Sequence, residues 1–207
     1  LDLADSLYRG LYEGVDHRRA IVFVRPDYYV MFDSADSTES HRFGINFWLT
    51  PPDVTIDRTR FTVRSNELEG SNVLVGLLDP EGAEIAERKG SLDLGGKRDD
   101  IPVVTFWKRG DRGARFATVL YPYPKGAPVP SLETSCKRAG EAATVEVKHG
   151  DGTDLVYYSS APGFTGRAGV IRRDAKGEVR SFGLLEGSKI DLDGKVLAES
   201  DAPMSEL

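Results

Sequence analysis

The run Ala20-Ile-Val-Phe-Val-Arg25, then Pro26-Asp27, then Tyr28-Tyr-Val-Met-Phe-Asp33 decides the fold class of this chain. Two stretches rich in β-branched and aromatic residues, separated by Pro-Asp, read as a β-hairpin whose turn backbone is preset by Pro26. Both faces of these strands are apolar, which places them inside a layered structure. Working outward, residues 41–49 alternate cleanly. Phe43, Ile45, Phe47 and Leu49 fall on one face, and Arg42, Asn46 and Trp48 on the other with Gly44 between them. Pro51-Pro52 ends that run. Further strands are expected at 60–64, 73–78, 103–107, 116–121, 144–149, 154–159, 168–173, 178–185 and 190–197. Asp151-Gly152, Lys176-Gly177 and Asp193-Gly194 sit between strand-like runs, as hairpin turns do. Residues 123–139, rich in Pro and Gly at their start, read as a connecting loop, a short helical piece around 132–138, or both. There is no internal repeat and no low-complexity tract. The spacing of the turns predicts an all-β chain, an antiparallel β-sandwich with residues 1–207 forming a single domain.

Composition closes off several classes of function. The 207 residues carry 27 Lys+Arg against 33 Asp+Glu, a formal net charge of −6, with 40% apolar content, enough for a buried core. An acidic chain without a basic stripe is not expected to bind nucleic acid, although a local Arg/Lys cluster can still hold an anionic ligand. No apolar run approaches the roughly 20 residues that span a bilayer, so no membrane partner is expected. No basic segment followed by an apolar one marks a signal peptide in these residues. A single cysteine, Cys136, excludes an intrachain disulfide framework and a multi-thiolate zinc site.

The motifs that carry chemistry are few. The three histidines, His17, His41 and His149, come with no nucleophile elbow. Cys136, next to Lys137, reads as an ordinary loop or buried thiol. Asp191-Leu-Asp193-Gly194 and Asp151-Gly-Thr-Asp154 resemble fragments of calcium loops but stop short of the full ligand pattern, and Gly110-Asp-Arg-Gly113 lacks the Lys-Ser/Thr of a phosphate loop. His41 has the parity of the apolar face and is expected to be half-buried and hydrogen-bonded, whereas His149, beside a turn, is expected to be exposed. Two features remain. Asp16-His17-Arg18-Arg19 enters a strand, and Arg42, Asn46 and Trp48 share a strand face. Arginine pairs bidentately with carboxylate or sulfate, and an exposed indole stacks on a sugar ring. That face therefore suits an acidic saccharide, with Trp48 as the core of a second layer as the competing reading. No metal site and no cofactor is expected in this chain.

The stretch Gly14-Val-Asp-His-Arg-Arg-Ala-Ile-Val-Phe-Val-Arg-Pro-Asp-Tyr-Tyr-Val-Met-Phe-Asp33 resembles the C-terminal β-domain of the heparinase II/III-like polysaccharide lyases. So does His41-Arg-Phe-Gly-Ile-Asn-Phe-Trp-Leu-Thr-Pro-Pro52 after it, and Val170-Ile-Arg-Arg-Asp-Ala-Lys-Gly-Glu-Val with Gly183-Leu-Leu-Glu-Gly-Ser is similar to that family's last strands. The resemblance implies a fragment of a larger enzyme. The full enzymes join an N-terminal helical toroid to this β region and cleave uronic-acid polysaccharides, glycosaminoglycans or alginate, by β-elimination. It further implies a periplasmic or secreted parent whose leader lies upstream of Leu1. The family's catalytic Tyr, Asn and His residues fall outside this stretch, so no catalytic residue carries over and the chain alone is expected to be inactive, the metal content of its parent being unread. His17 and Arg18 match the family's strand-entry pair, a structural one that supports the cleft by hydrogen bonds to the preceding loop and Asp33. The expected partners are an acidic polysaccharide and the toroid; the alternative is a stand-alone module that binds acidic glycan.

Overall fold

The computed structural model describes residues 1–49, 53–67, 70–93, 97–150 and 152–206. Among them there is no helix, and the paired strands are antiparallel. In chain order the strands are β1 (Asp2–Tyr12), β2 (Val15–Val24), β3 (Tyr28–Ser37), β4 (His41–Trp48), β5 (Val54–Asp57), β6 (Thr62–Ser65), β7 (Asn72–Leu77), β8 (Ala83–Asp93), β9 (Lys97–Gly110), β10 (Gly113–Tyr123), β11 (Glu133–Ala139), β12 (Ala142–His149), β13 (Gly152–Tyr158), β14 (Phe164–Thr165), β15 (Ala168–Asp174), β16 (Val179–Leu192) and β17 (Lys195–Glu206). The all-β, antiparallel sandwich class expected from the turn spacing is the observed one. Packing divides the chain into two compact units: Leu1–Asp5, Ala20–Phe32 and Pro130–Leu207 form the first, and Ser6–Arg19 with Asp33–Val129 the second.

In the first unit the strand order is β11-β12-β13-β15-β16-β14, with β17 on β16. Register places Val145, Val156 and Val170 side by side on one face, opposed by the hairpin residues Val22, Val24, Tyr28 and Val30, each at most 1% exposed. Phe32 stacks on Tyr158 with ring centroids 4.9 Å apart. Tyr157, Phe164, Ile171, Leu184 and Ile190 fill the opposite face. The hairpin is therefore less symmetric than its apolar sequence promised. Val22, Val24, Tyr28, Val30 and Phe32 are buried, while Ile21, Phe23 and Tyr29 are half-buried, with Phe23 stacked on Tyr29 at 4.4 Å.

In the second unit the three-stranded sheet β4-β9-β8 packs one face inward. Phe43, Ile45 and Phe47 of β4 and Val104 and Phe106 of β9 are all buried there, each contributing about 1.5–3 kcal/mol by leaving water. Lys108 shares that parity. It crosses the layer to sit over the Phe116 ring of β10 at 5.3 Å, pairs with Asp79 at 3.3 Å and donates to the Arg115 carbonyl at 3.0 Å. Aliphatic stem and charged head thus serve different surroundings.

Three sequence expectations are corrected. The loop or helical piece around 132–138 is strand β11, and β8, which the sequence did not announce, is Ala-Glu-Ile-Ala-Glu-Arg-Lys-Gly-Ser-Leu-Asp. Both end their sheets, and a strand ending its sheet needs little apolar content and gains protection against stray pairing from its charges. The separate strands at 178–185 and 190–197 are one long β16, a turn at Asp193-Gly194 with φ of 52° and 81°, and β17. Pro51-Pro52 and Asp151 lie outside the described residues.

Candidate functional site

From Arg42 on, strand β4 alternates between exposed even and buried odd positions, so Arg42, Asn46 and Trp48 share one outward face. Register with β9 and β8 turns that face into rows. Arg42 lies opposite Arg109; Gly44, Trp107 and Glu84 align; then Asn46, Thr105 and Ala86; then Trp48, Val103 and Arg88. Both tryptophans of the chain are therefore on this sheet face. Each indole lies across a glycine of another strand. A Cβ on Gly44 would come within 2.5 Å of the Trp107 ring, and one on Gly90 within 2.7 Å of the Trp48 ring. Each ring also has a guanidinium over it, Arg42 at 4.7 Å from the Trp107 centroid and Arg88 at 5.3 Å from that of Trp48. Arg42 is held by Glu84 at 2.6 Å, and the Thr105 hydroxyl donates to Asn46 Oδ1 at 2.6 Å. Trp48 keeps 39% of its surface exposed, so it is not the core of a second layer. Sequence reasoning missed Trp107, Arg88 and Arg109 because the register of β9 and the existence of β8 were needed to find them.

The second predicted cluster is also assembled, with one change of membership. His17 Nε2 lies 3.1 Å from Asp33 Oδ1, and the Arg19 Nε–H donates to the same oxygen at 2.7 Å. Arg19 joins His17 on Asp33, because residues two apart on a strand share a face. Asp33 is buried, its Oδ2 without a hydrogen-bond partner among the described residues, and Tyr8 stacks on the His17 ring at 6.1 Å. Asp33→Ala is expected to lower stability by about 2 kcal/mol, the loss of a buried acceptor shared by the His17 imidazole and the partly screened Arg19 guanidinium, and Asp33→Asn by about half as much; urea unfolding reads both.

The other histidines reverse their expected exposures. His41 is exposed, its ring edge-on to Phe43 at 5.8 Å. The His149 side chain is only 15% exposed, with Nε2 3.2 Å from Asp154 Oδ2. Asp154 is the hub of the first unit's polar interior. The Tyr28 hydroxyl donates to its Oδ2 at 2.9 Å and Arg172 Nε to its Oδ1 at 3.3 Å, while Arg172 also reaches Asp27 at 2.5 Å and the Arg25 carbonyl at 3.1 Å. Burial pushes the Asp154 carboxyl up, but the contacts from His149, Arg172 and Tyr28 outweigh it and hold it below the usual range. Burial beside that carboxylate pushes the Tyr28 phenol well up. A cavity of about 510 Å³ in the same unit is lined by Lys137, Arg138 and Arg173 against Glu146, Asp191 and Asp193, a balanced set of charges. Among the described residues no three His, Cys, Asp or Glu side chains converge as metal ligands.

No family model matches the chain. Its sequence is similar to two heparin-sulfate lyases. The one from Pedobacter heparinus is 23% identical over 116 residues, covering 54% of this chain and 18% of that protein. The one from Bacteroides stercoris is 25% identical over 129 residues, covering 61% and 19%. Among solved structures, a heparan sulfate lyase from Pedobacter heparinus superposes with a TM-score of 0.64 at 20% identity, over 75% of this chain and 26% of that one. A heparinase III does so with the same score and identity over 76% and 25%. The fold is a heparinase-like β domain. This β domain spans about a fifth of the length of the curated relatives it matches.

Proposed function

We propose that this heparinase-like β domain is the scaffold and one cleft wall of a larger polysaccharide lyase that cleaves uronic-acid chains by β-elimination. Such chemistry needs a cation or strong hydrogen-bond donor to neutralise the uronate carboxylate, a base for the C5 proton and an acid for the departing oxygen. On this reading those catalytic groups are carried by a partner, the helical toroid of the same protein, and the parent is periplasmic or secreted. The observation that carries the reading is the likeness in fold, over three quarters of this chain, to a quarter of a heparan sulfate lyase. It is supported by the apolar surface of β1, which ends its sheet and leaves Leu7, Tyr8 and Tyr12 at least half exposed. Heparan-type glycosaminoglycans are the first substrates to try and alginate the second.

The test is a paired assay on heparan sulfate and alginate, of this chain alone and of the full-length parent, following the ultraviolet absorbance of the unsaturated uronate. Turnover by the parent and none by the chain is the expected result. Turnover by the isolated chain would overturn the division of labour and bring His17 and Tyr8 forward as reacting groups.

A further inference from the structure

We infer that the outward face of the β4-β9-β8 sheet is a non-catalytic binding site for sulfated or uronate-bearing glycan, with Trp48 as the stacking surface and Arg88, Arg42 and Arg109 as the anion contacts. The inference takes only its glycan class from the lyase reading.

Charge is the first argument. In a chain of net charge −6, the rows of this face bring together Arg42, Arg109 and Arg88 against Glu84, a local excess of positive charge. Construction is the second. A tryptophan recruited for packing turns inward, as Phe43, Phe47 and Phe106 do on the other side of the same sheet. Trp48 and Trp107 instead lie flat on the outside, beside the buried Val103 and Thr105 of the same face, each given room by a glycine whose Cβ would strike the ring. Glycine weakens a strand interior and marks close approach of another group; here that group is an indole with its second face turned to solvent or to a guanidinium. Spacing is the third. The Trp48 and Trp107 rows are four residues apart along β4, about 13 Å at the strand rise, so the site is extended in the way a linear polymer is.

The guanidiniums now resting on the rings need not block the site. An exposed cation–π contact is worth about 0.5–1 kcal/mol, less than the charge-assisted hydrogen bonds that arginine makes to sulfate or carboxylate. A sugar ring that stacks on Trp48 displaces Arg88 sideways onto its own anionic substituent. One weak contact is exchanged for one stack and one ion pair.

Isothermal titration calorimetry of the 207-residue chain with a heparan sulfate oligosaccharide, its desulfated counterpart and a neutral glucan oligosaccharide tests this. Binding of the sulfated oligosaccharide is expected, weakening as salt is raised and absent for the neutral glucan. Arg88→Gln combined with Arg42→Gln is expected to weaken it about tenfold or more, with circular dichroism and urea midpoint essentially unchanged. Trp48→Ala is expected to abolish it. Because that variant also uncovers Gly90, the arginine pair carries the decision. Unchanged affinity in the arginine pair, no binding of the sulfated oligosaccharide, or equal binding of the neutral glucan would overturn the site. An active parent with a non-binding chain refutes this site alone, whereas a binding chain in an inactive parent refutes the lyase reading alone.

Discussion

Asp154→Ala is expected to destabilise the protein by about 3 kcal/mol, measured by urea unfolding followed with far-ultraviolet circular dichroism. The carboxylate is 1% exposed and its partners are built around it. Its removal takes the Asp154 acceptor from the buried Tyr28 hydroxyl and strips an acidic partner from Arg172. Removing one side of a buried charged pair costs about 3–5 kcal/mol, and Arg172 keeps Asp27 and a carbonyl, which sets the expectation at the low end. The same site fixes a pH dependence. The carboxyl titrates lower in the folded protein than in the unfolded chain. Its contribution is therefore fully present above the unfolded value, about pH 3.9, and is lost as pH falls from there through the folded value. Asp154→Asn keeps an oxygen acceptor for Tyr28 and loses the titration. Its stability should fall less steeply than that of the parent chain in acid, and parallel acid limbs would show that another carboxyl controls the response.

Phe106→Ala is the second large effect, about 3–5 kcal/mol. Phe106 is 0% exposed at the centre of β9, edge-on to Phe47 at 5.8 Å and in register between Ile45 and Ile85. Its register neighbours Ile45 and Ile85 are branched side chains on strands fixed by two ladders, which limits collapse into the space. The backbone of β9 that carries Trp107 and Thr105 on its other side loses its backing as well. Urea unfolding should show the full loss, and Phe106→Leu should recover most of it. A cost below about 1 kcal/mol for the alanine would mean that the inner face collapses freely.

How far the sequence led depended on which strands were apolar. The hairpin over Ala20 to Asp33 was legible from its β-branched and aromatic runs on either side of Pro-Asp, and β4 because burial on one face writes a period of two into the residue types. Strands β8 and β11 were not, because each ends its sheet and carries charged residues outward, leaving no period to read. The outward face of β4 was legible as Arg42, Asn46 and Trp48, yet its companions Trp107, Arg109 and Arg88 come from strands 55 residues or more and about 40 residues away in the chain. His149 was misread for a similar reason. Its turn is local, but Asp154 and Tyr28, which enclose it, are brought in by strand pairing and by the hairpin.

The position of the two indoles also divides the optical signals of the molecule. Both tryptophans, Trp48 and Trp107, belong to the unit built from Ser6–Arg19 and Asp33–Val129, and the other unit has none. Tryptophan emission is therefore a local reporter. It follows the β4-β9-β8 sheet and does not directly sense the loss of structure around Asp154. If emission and circular dichroism trace the same denaturation curve, the two units melt as one cooperative body; if emission moves separately, each unit keeps its own stability, and the difference measures how independent they are.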